Sequence, residues 1–234
     1  MADDEFDYGG RTLDLLAALT ERGVDRATLV MRHGAREYVP GRHDLENPLT
    51  DLGRAHAEDF GRRLDPRWRV RVYASPVQRC LDTGTLLLAG HLETGGESLG
   101  SVRAMEALGI FYSLDQMRMF KAMQVAGGLE PFVDAWASGA LGRDVVMPTF
   151  DAARALTDLL AARLGERREA VALDVCVSHD ITLYLLRDRL LGLDRSHDSV
   201  RYLDGVALWE EDGVLHAMTH DADAAPVDPA RLAG

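Results

Sequence analysis

Basic side chains are concentrated in Arg32-His33-Gly34-Ala35-Arg36, directly after the apolar run 27–31. Arginine presents a planar fork of N–H donors that matches the oxygens of phosphate or carboxylate. A histidine between two such residues can act as a nucleophile, a base or a ligand, and Gly34 allows the backbone to approach a bound group closely. The segment therefore indicates an anion-binding reactive loop, although taken alone it fits a charged surface loop equally well.

Two further basic residues follow apolar segments of the same kind. Arg79 comes shortly after the segment 70–73, in the first turn of a helix that Pro76 is placed to begin. A helix dipole disfavours a cation there, which suggests that Arg79 has a role other than helix stability. His179 follows the alternating segment 171–177. Both segments have the length and composition of buried strands, so both basic residues are expected at strand ends.

These strand ends are expected to lie together. Parallel strands connected by right-handed helical crossovers place their carboxyl ends at one edge of a sheet, where ligands bind. A cluster of arginines and histidines is unfavourable unless an anion neutralises it, and a tetrahedral phosphoryl group offers oxygens on several sides. The predicted cluster consists of Arg32, His33, Arg36, Arg79 and His179. Neither GxxxxGK[ST] nor GxGxxG occurs in the sequence, so nucleotide-binding loops of those kinds are not predicted.

Helical segments separate the predicted strands, which indicates an α/β fold with a mostly parallel central sheet flanked by helices. The 234 residues fit a single domain, 1–234. Two later segments, 202–210 and 214–219, are joined by Asp212-Gly213 and predict a C-terminal hairpin. The tail from Asp221 is expected to be disordered.

A small helical cap is predicted within this domain, at about 97–148, because that span carries no strand signal. It reads instead as two helices broken at Gly127-Gly128. The first of them contains Met117, Met119 and Met123, which are expected to supply adaptable packing.

The net charge of −12 argues against nucleic acid or an anionic membrane as a partner. No apolar run is long enough to span a bilayer, and the acidic first residues do not resemble a signal peptide, so a cytoplasmic location is expected. The two cysteines, Cys80 and Cys176, are expected to be reduced. His216 and His220 have metal-like spacing but lack an evident third ligand, so no metal site is predicted. The oligomeric state is left open.

Three motifs together resemble the histidine phosphatase superfamily over about residues 27–193. They are Arg32-His33-Gly34, Ser75-Pro76 with Arg79 and Thr83, and Ser178-His179-Asp180 with Thr182-Leu183. Arg36 and Asp180 favour the acid phosphatase branch over the phosphoglycerate mutase branch, although Pro40 stands two residues later than the proline of that branch. The resemblance implies a phosphoglycerate-mutase-like fold, and the short chain implies a small cap that leaves the substrate open.

The resemblance also implies a phosphomonoesterase that hydrolyses a small phosphorylated metabolite through a phosphohistidine on His33. Arg32, Arg36, Arg79 and a protonated His179 would bind the phosphoryl oxygens. No metal and no cofactor are expected, because the arginines would supply the charge compensation. Two alternatives stay open: a phosphomutase of the same superfamily, and a catalytically idle phosphate-binding regulatory protein.

Two carboxylates compete for the role of proton donor to the leaving alcohol. Asp180 follows His179 at the start of a predicted helix, in the position that resembles the acid phosphatase branch. Glu106 resembles the donor of the mutase-like branch, which comes from the segment after the second helix. The acidic residue directly after His179 favours Asp180, and Glu106 is kept as the alternative.

Overall fold

The computed structural model describes residues 7–39, 41–165 and 171–233. Its centre is an eight-stranded sheet in the order β3-β2-β5-β1-β6-β7-β8, in which β4 also pairs with β2. The strands are β1 (Arg26–Arg32), β2 (Arg69–Ala74), β3 (Glu97–Ser98), β4 (Arg103–Ala104), β5 (Ala172–Ser178), β6 (Gly205–Glu211), β7 (Val214–Thr219) and β8 (Ala222–Pro226).

Strands β1 to β5 run parallel, and β6, β7 and β8 add an antiparallel meander at the β1 edge. The predicted α/β class with a mostly parallel central sheet is confirmed. The helices are α1 (Gly10–Glu21), α2 (Asp51–Arg63), α3 (Gln78–Glu93), α4 (Gln116–Ala126), α5 (Leu129–Ala137), α6 (Thr149–Gly165) and α7 (Asp180–Leu186). The chain continues from α7 as a π-helical turn, Arg187–Leu191.

Both faces of the sheet are buried, which explains why its central strands read as continuous apolar runs. Successive side chains of a strand point to opposite faces, so Leu29 and Met31 of β1 join one core and Val30 joins the other. The first core contains Leu15 of α1 and Phe60 of α2, among others. The second core receives residues of α4, α5, α6 and α7.

The predicted hairpin is present as β6 and β7, joined by Asp212 and Gly213 with φ of 52° and 76°. Two consecutive positive φ angles are typical of the tight turn that Asp-Gly favours. The expectation of a disordered tail from Asp221 is wrong for the described part of that tail. Residues 222–226 form β8, because β7 still offers an unpaired edge to which β8 adds.

The span 97–148 differs from its prediction at its beginning. Strands β3 and β4, at 97–98 and 103–104, pair with β2 and belong to the sheet. Two-residue strands are too short to produce a periodic sequence signal, so the strands were missed. Helices α4 and α5 follow, separated at Gly127 and Gly128 as predicted. A cap formed by the remainder, 105–148, stays a prediction.

Candidate active site

The carboxyl ends of β1, β2 and β5 lie side by side. Arg32 pairs with Ser178 in the parallel register, and Ala74 pairs with Val177. The residues that follow these strands therefore start from adjacent positions at one edge of the sheet. The loop after β1 is held against α2 by close backbone contact, since a Cβ on Gly53 would lie 2.1 Å from the Ala35 carbonyl oxygen.

His33 is buried, with 2% of its surface exposed. Its Nδ1 lies 2.7 Å from the carbonyl oxygen of Gly34, which can only accept, so Nδ1 carries the proton. Nε2 is then unprotonated, and its lone pair accepts a 3.0 Å hydrogen bond from Nε of Arg79. Burial, reinforced by the charge of Arg79, lowers the pKa of His33 well below its usual value. The imidazole is therefore neutral and nucleophilic at neutral pH.

His179 lies close to His33, with 5.5 Å between the ring centroids. Its Nε2 is 3.0 Å from Oγ of Ser75. Burial and the charge of Arg79 lower the pKa of His179 to about 4. Burial beside an arginine thus favours the neutral form of His179 at pH 7. The predicted protonated form, in which His179 donates to phosphate, stays a prediction.

Arg36 and Arg79 share a carboxylate that the sequence did not single out. Asp44 accepts from Nη2 of Arg36 at 2.6 Å and from Nη2 of Arg79 at 3.2 Å. Its backbone carbonyl accepts from Nη1 of Arg79 at 2.7 Å. Asp44 begins a short 3-10 turn in the irregular loop after Arg36. An aspartate in such a loop carries no sequence signal of its own. Pro40 of the same loop lies outside the described residues.

Arg32 is held from two sides. Its Nη2 forms a 2.7 Å ion pair with Oδ2 of Asp180, and its Nη1 donates to the Val200 carbonyl at 2.8 Å. The guanidinium also lies 4.2 Å from the ring centroid of Tyr202, a contact that sequence reasoning missed. The buried Nε of Arg32 has no hydrogen-bond partner among the described residues.

A cavity of about 540 Å³ opens onto these groups. The cavity is lined on its polar side by His33, Arg36, Asp44, Arg79, His179 and Asp180. Glu106 is exposed in the 3-10 turn Glu106–Leu108 and is not among the cavity-lining residues. Arg32 does not line the cavity but forms an ion pair with Asp180, which does. His43 also lines the cavity, and its ring centroid lies 4.9 Å from that of Phe120.

Comparisons with known proteins bear on this site. The family model of the histidine phosphatase superfamily (branch 1) matches residues 28–97. This match contains the first two motifs and confirms the resemblance at the level of the superfamily. The narrower resemblance to the acid phosphatase branch receives no support from a branch 1 match and stays a prediction. No curated protein sequence matches this chain.

Solved structures show the same fold at low sequence identity. A mutant phosphoserine phosphatase of Entamoeba histolytica, in complex with phosphoserine, is 18% identical with a TM-score of 0.53, covering 84% of this chain and 97% of its own. A phosphoglycerate mutase of Bacillus anthracis is 17% identical with a TM-score of 0.56, covering 82% and 91%. A mycobacterial glucosyl-3-phosphoglycerate phosphatase, in complex with inorganic phosphate, is 18% identical with a TM-score of 0.55, covering 85% and 98%. The chain thus has a phosphoglycerate-mutase-like fold.

Among the described residues, no helix combines the length and the apolar character that crossing a bilayer requires. The predicted cytoplasmic location stays a prediction.

Proposed function

We propose that this protein is a phosphomonoesterase that hydrolyses a small phosphorylated metabolite through a phosphohistidine intermediate. The superfamily match and the phosphatases among the structural relatives support phosphatase activity. The observation that carries the proposal is the state of His33. Its buried imidazole is neutral, and its unprotonated Nε2 lies beside Arg79 in the lining of the cavity.

In the first step, Nε2 of His33 attacks phosphorus, and the bond from phosphorus to the alcohol oxygen breaks. The proton stays on Nδ1, and its hydrogen bond to the Gly34 carbonyl keeps the ring oriented. A phosphate that takes over Arg32 would release Asp180 from its ion pair. Asp180 would then take up a proton and give it to the departing alcohol. Its position at the cavity supports this role over that of exposed Glu106.

The phosphoryl oxygens would be bound by Arg36, Arg79 and His179, and by Arg32 once its guanidinium exchanges Asp180 for phosphate. Three guanidinium groups against two carboxylates leave a surplus of one positive charge, which attracts a phosphate dianion. Donors that are already in place stabilise the charge that spreads over the transferring group. The bound dianion would also raise the pKa of His179 and allow it to donate as an imidazolium.

In the second step, water attacks the phosphohistidine, and the bond between phosphorus and Nε2 breaks. Asp180, left as a carboxylate by the first step, accepts the proton of the attacking water. Inorganic phosphate leaves, and the site returns to its starting state. We propose that no metal takes part, because the arginines compensate the charge.

The test combines phosphate release with trapping of the intermediate. The wild-type protein should release phosphate from 4-nitrophenyl phosphate and, after acid-free quenching, carry an alkali-stable, acid-labile phosphoryl group. The His33→Ala variant should lose both signals, with turnover reduced at least about a thousandfold. His197→Ala, a half-exposed histidine outside the cavity, is the matched control and should retain both.

Other outcomes would identify the alternatives. If the wild-type protein bound inorganic phosphate but released none from the ester, it would be a phosphate-binding protein. Transfer of labelled phosphate to a second alcohol in preference to water would indicate a phosphomutase. A trapped phosphoryl group with the stability of a phosphoserine or an acyl phosphate would contradict His33 as the nucleophile.

A further inference from the structure

The cavity has two sides of opposite character. Its floor is made by the charged residues of the proposed phosphate site. Half of the apolar lining named below comes from α4. The apolar wall consists of Ile110, Met119, Phe120, Met123, Leu129 and Ile181. A phosphate held against His33 would therefore direct the rest of its ester toward hydrocarbon.

The apolar wall is anchored in the core of the protein. Met119 is 1% exposed and belongs to the core on this face of the sheet. Phe120 and Met123 are partly buried and pack against the same core. Phe120 also meets the ring of His43 edge-on at 4.9 Å, so the wall reaches the loop that carries Asp44. Two of the three methionines expected to serve packing, Met119 and Met123, pack against this core and line the cavity. Met117 is exposed instead.

The charges of the cavity suit one anionic group. Arg36 and Arg79 converge on Asp44, and Arg32 is paired with Asp180. A bound phosphate would occupy these arginines. Among the described arginines and lysines that line the cavity, this leaves Arg42, which is exposed. A second phosphate or a carboxylate deeper in the cavity would meet hydrocarbon and the two aspartates, so its desolvation would be uncompensated.

We propose that the substrate is a phosphate monoester of an apolar alcohol, alkyl or aryl, whose hydrocarbon part packs on Met119, Phe120 and Met123. This inference rests on the proposed function for the position of the phosphate. A cavity of about 540 Å³ lies in the range that accommodates small organic ligands. Gln124 and Arg42, which also line the cavity, leave room for a polar group at the far end of the ligand.

The first experiment measures kcat/KM for ethyl, butyl and hexyl phosphate. These esters share nearly the same leaving-group acidity, so differences report on packing. Each buried methylene should raise kcat/KM about fourfold until the wall is covered. Glycerol 3-phosphate and 3-phosphoglycerate should be poorer substrates than butyl phosphate. A flat series, or a preference for these polar esters, would overturn the inference while leaving phosphatase activity intact.

Two variants on one helix sharpen this test. Phe120→Ala should flatten the chain-length dependence, with about a tenfold loss for hexyl phosphate and a smaller loss for ethyl phosphate. Met117→Ala is the matched control, because its side chain is 83% exposed on the same helix and does not line the cavity. Its chain-length dependence should equal that of the wild type. Equal slopes in all three proteins would contradict the role of Phe120 in the wall.

Calorimetric binding of ethyl-, butyl- and hexylphosphonate separates this inference from the proposed function. These ligands cannot be hydrolysed, so their affinity is independent of turnover. Affinity that rises with chain length, without turnover of any phosphate ester, would support the apolar wall and overturn the phosphatase proposal. Turnover of ethyl phosphate together with affinities independent of chain length would support the phosphatase proposal and overturn the apolar wall.

Discussion

Two clusters in this molecule both contain arginine, histidine and aspartate side chains, but they differ in the ratio of arginines to carboxylates. The first is the candidate active site. The second, the carboxylate cluster, consists of Asp198, His220 and Asp221 with Arg11 and Arg187. Its members are paired: Asp198 accepts from Arg11 at 2.6 Å and lies 3.2 Å from Nε2 of His220, and Asp221 accepts from Arg187 at 2.6 Å. Burial opposes the shift, but hydrogen bonds from His220 and Arg11 lower the pKa of Asp198 to about 2.

In the candidate active site the charges are not balanced in this way. Among the described residues, neither His33 nor His179 is hydrogen-bonded to a carboxylate, and both lie beside Arg79. Burial, reinforced by the charge of Arg79, lowers the pKa of both imidazoles and keeps them neutral. The comparison teaches that arginine and histidine side chains alone do not make an anion site. A cluster whose arginines are matched or outnumbered by carboxylates stabilises the fold. Surplus positive charge beside a neutral imidazole is instead suited to binding and attacking a phosphate.

The largest expected contrast between the two clusters is in catalysis. Arg79→Ala should lower kcat/KM for 4-nitrophenyl phosphate by about 100- to 1000-fold, the loss typical of one transition-state donor. Arg11→Ala in the carboxylate cluster should leave kcat/KM unchanged and lower the free energy of unfolding by about 1 kcal/mol. Steady-state kinetics and urea unfolding of both variants measure this. Normal kcat/KM in Arg79→Ala would refute the convergence of the strand ends on phosphate.

The second contrast concerns the two carboxylates proposed as donors. Asp180→Asn should reduce hydrolysis of ethyl phosphate about 100-fold more than that of 4-nitrophenyl phosphate, whose leaving group needs little protonation. Glu106→Gln should affect both esters equally and weakly. The measurement is the ratio of kcat/KM values for the two esters. A selective loss in Glu106→Gln alone would assign the donor to the segment after β4.

The neutral state of His179 predicts sensitivity of stability to acid. The unfolded imidazole has an ordinary pKa near 6.5, and the folded one titrates at about 4. Between these values the unfolded chain binds more protons, so stability is lost as the pH falls. From pH 7 to pH 5 this residue alone should cost about 2 kcal/mol.

Urea unfolding of the wild type and of His179→Asn at both pH values measures that difference. The variant should lose about 2 kcal/mol less than the wild type over this interval, because asparagine does not titrate. An equal loss in both proteins would show that His179 is not held neutral.

Asp44 occupies the arginines that phosphate is proposed to use, so it should compete with phosphate. Asp44→Asn removes the negative charge and should lower the inhibition constant of inorganic phosphate roughly fivefold, a modest effect because the carboxylate is partly exposed. Competitive inhibition assays measure this constant. A rise in the constant would indicate that Asp44 serves to position Arg36 and Arg79 instead.

The smallest expected effect is that of metal removal. Asp198, His220 and Asp221 are the group of described residues whose ligand atoms could surround a metal ion. These residues line no part of the proposed phosphate site. Prolonged treatment with EDTA should therefore leave kcat/KM unchanged. Loss of activity that is restored by one divalent ion would indicate metal-assisted hydrolysis.

Local sequence was sufficient for the motifs and for the elements that carry them. An apolar run that gives way to polar residues is a local signal, and it marks the ends of β1, β2 and β5. The N-cap of α2 is a similar local feature, since Thr50 is of a residue type that caps helices and its Oγ1 accepts from the amide of Gly53 at 2.9 Å. These features depend on residues only a few positions apart, so spacing reveals them.

Only the tertiary structure decided how these groups meet. Asp44 reaches Arg79 across 35 positions, and Arg32 meets Asp180 and Tyr202 from distant segments. The neutral state of His179 depends on burial, which the fold creates and the sequence does not display. The same is true of Met119 and Phe120, which look like packing residues in the sequence and face the cavity in the structure. Contact across long chain separations and exclusion of water arise from the assembled fold, and both shape the candidate site.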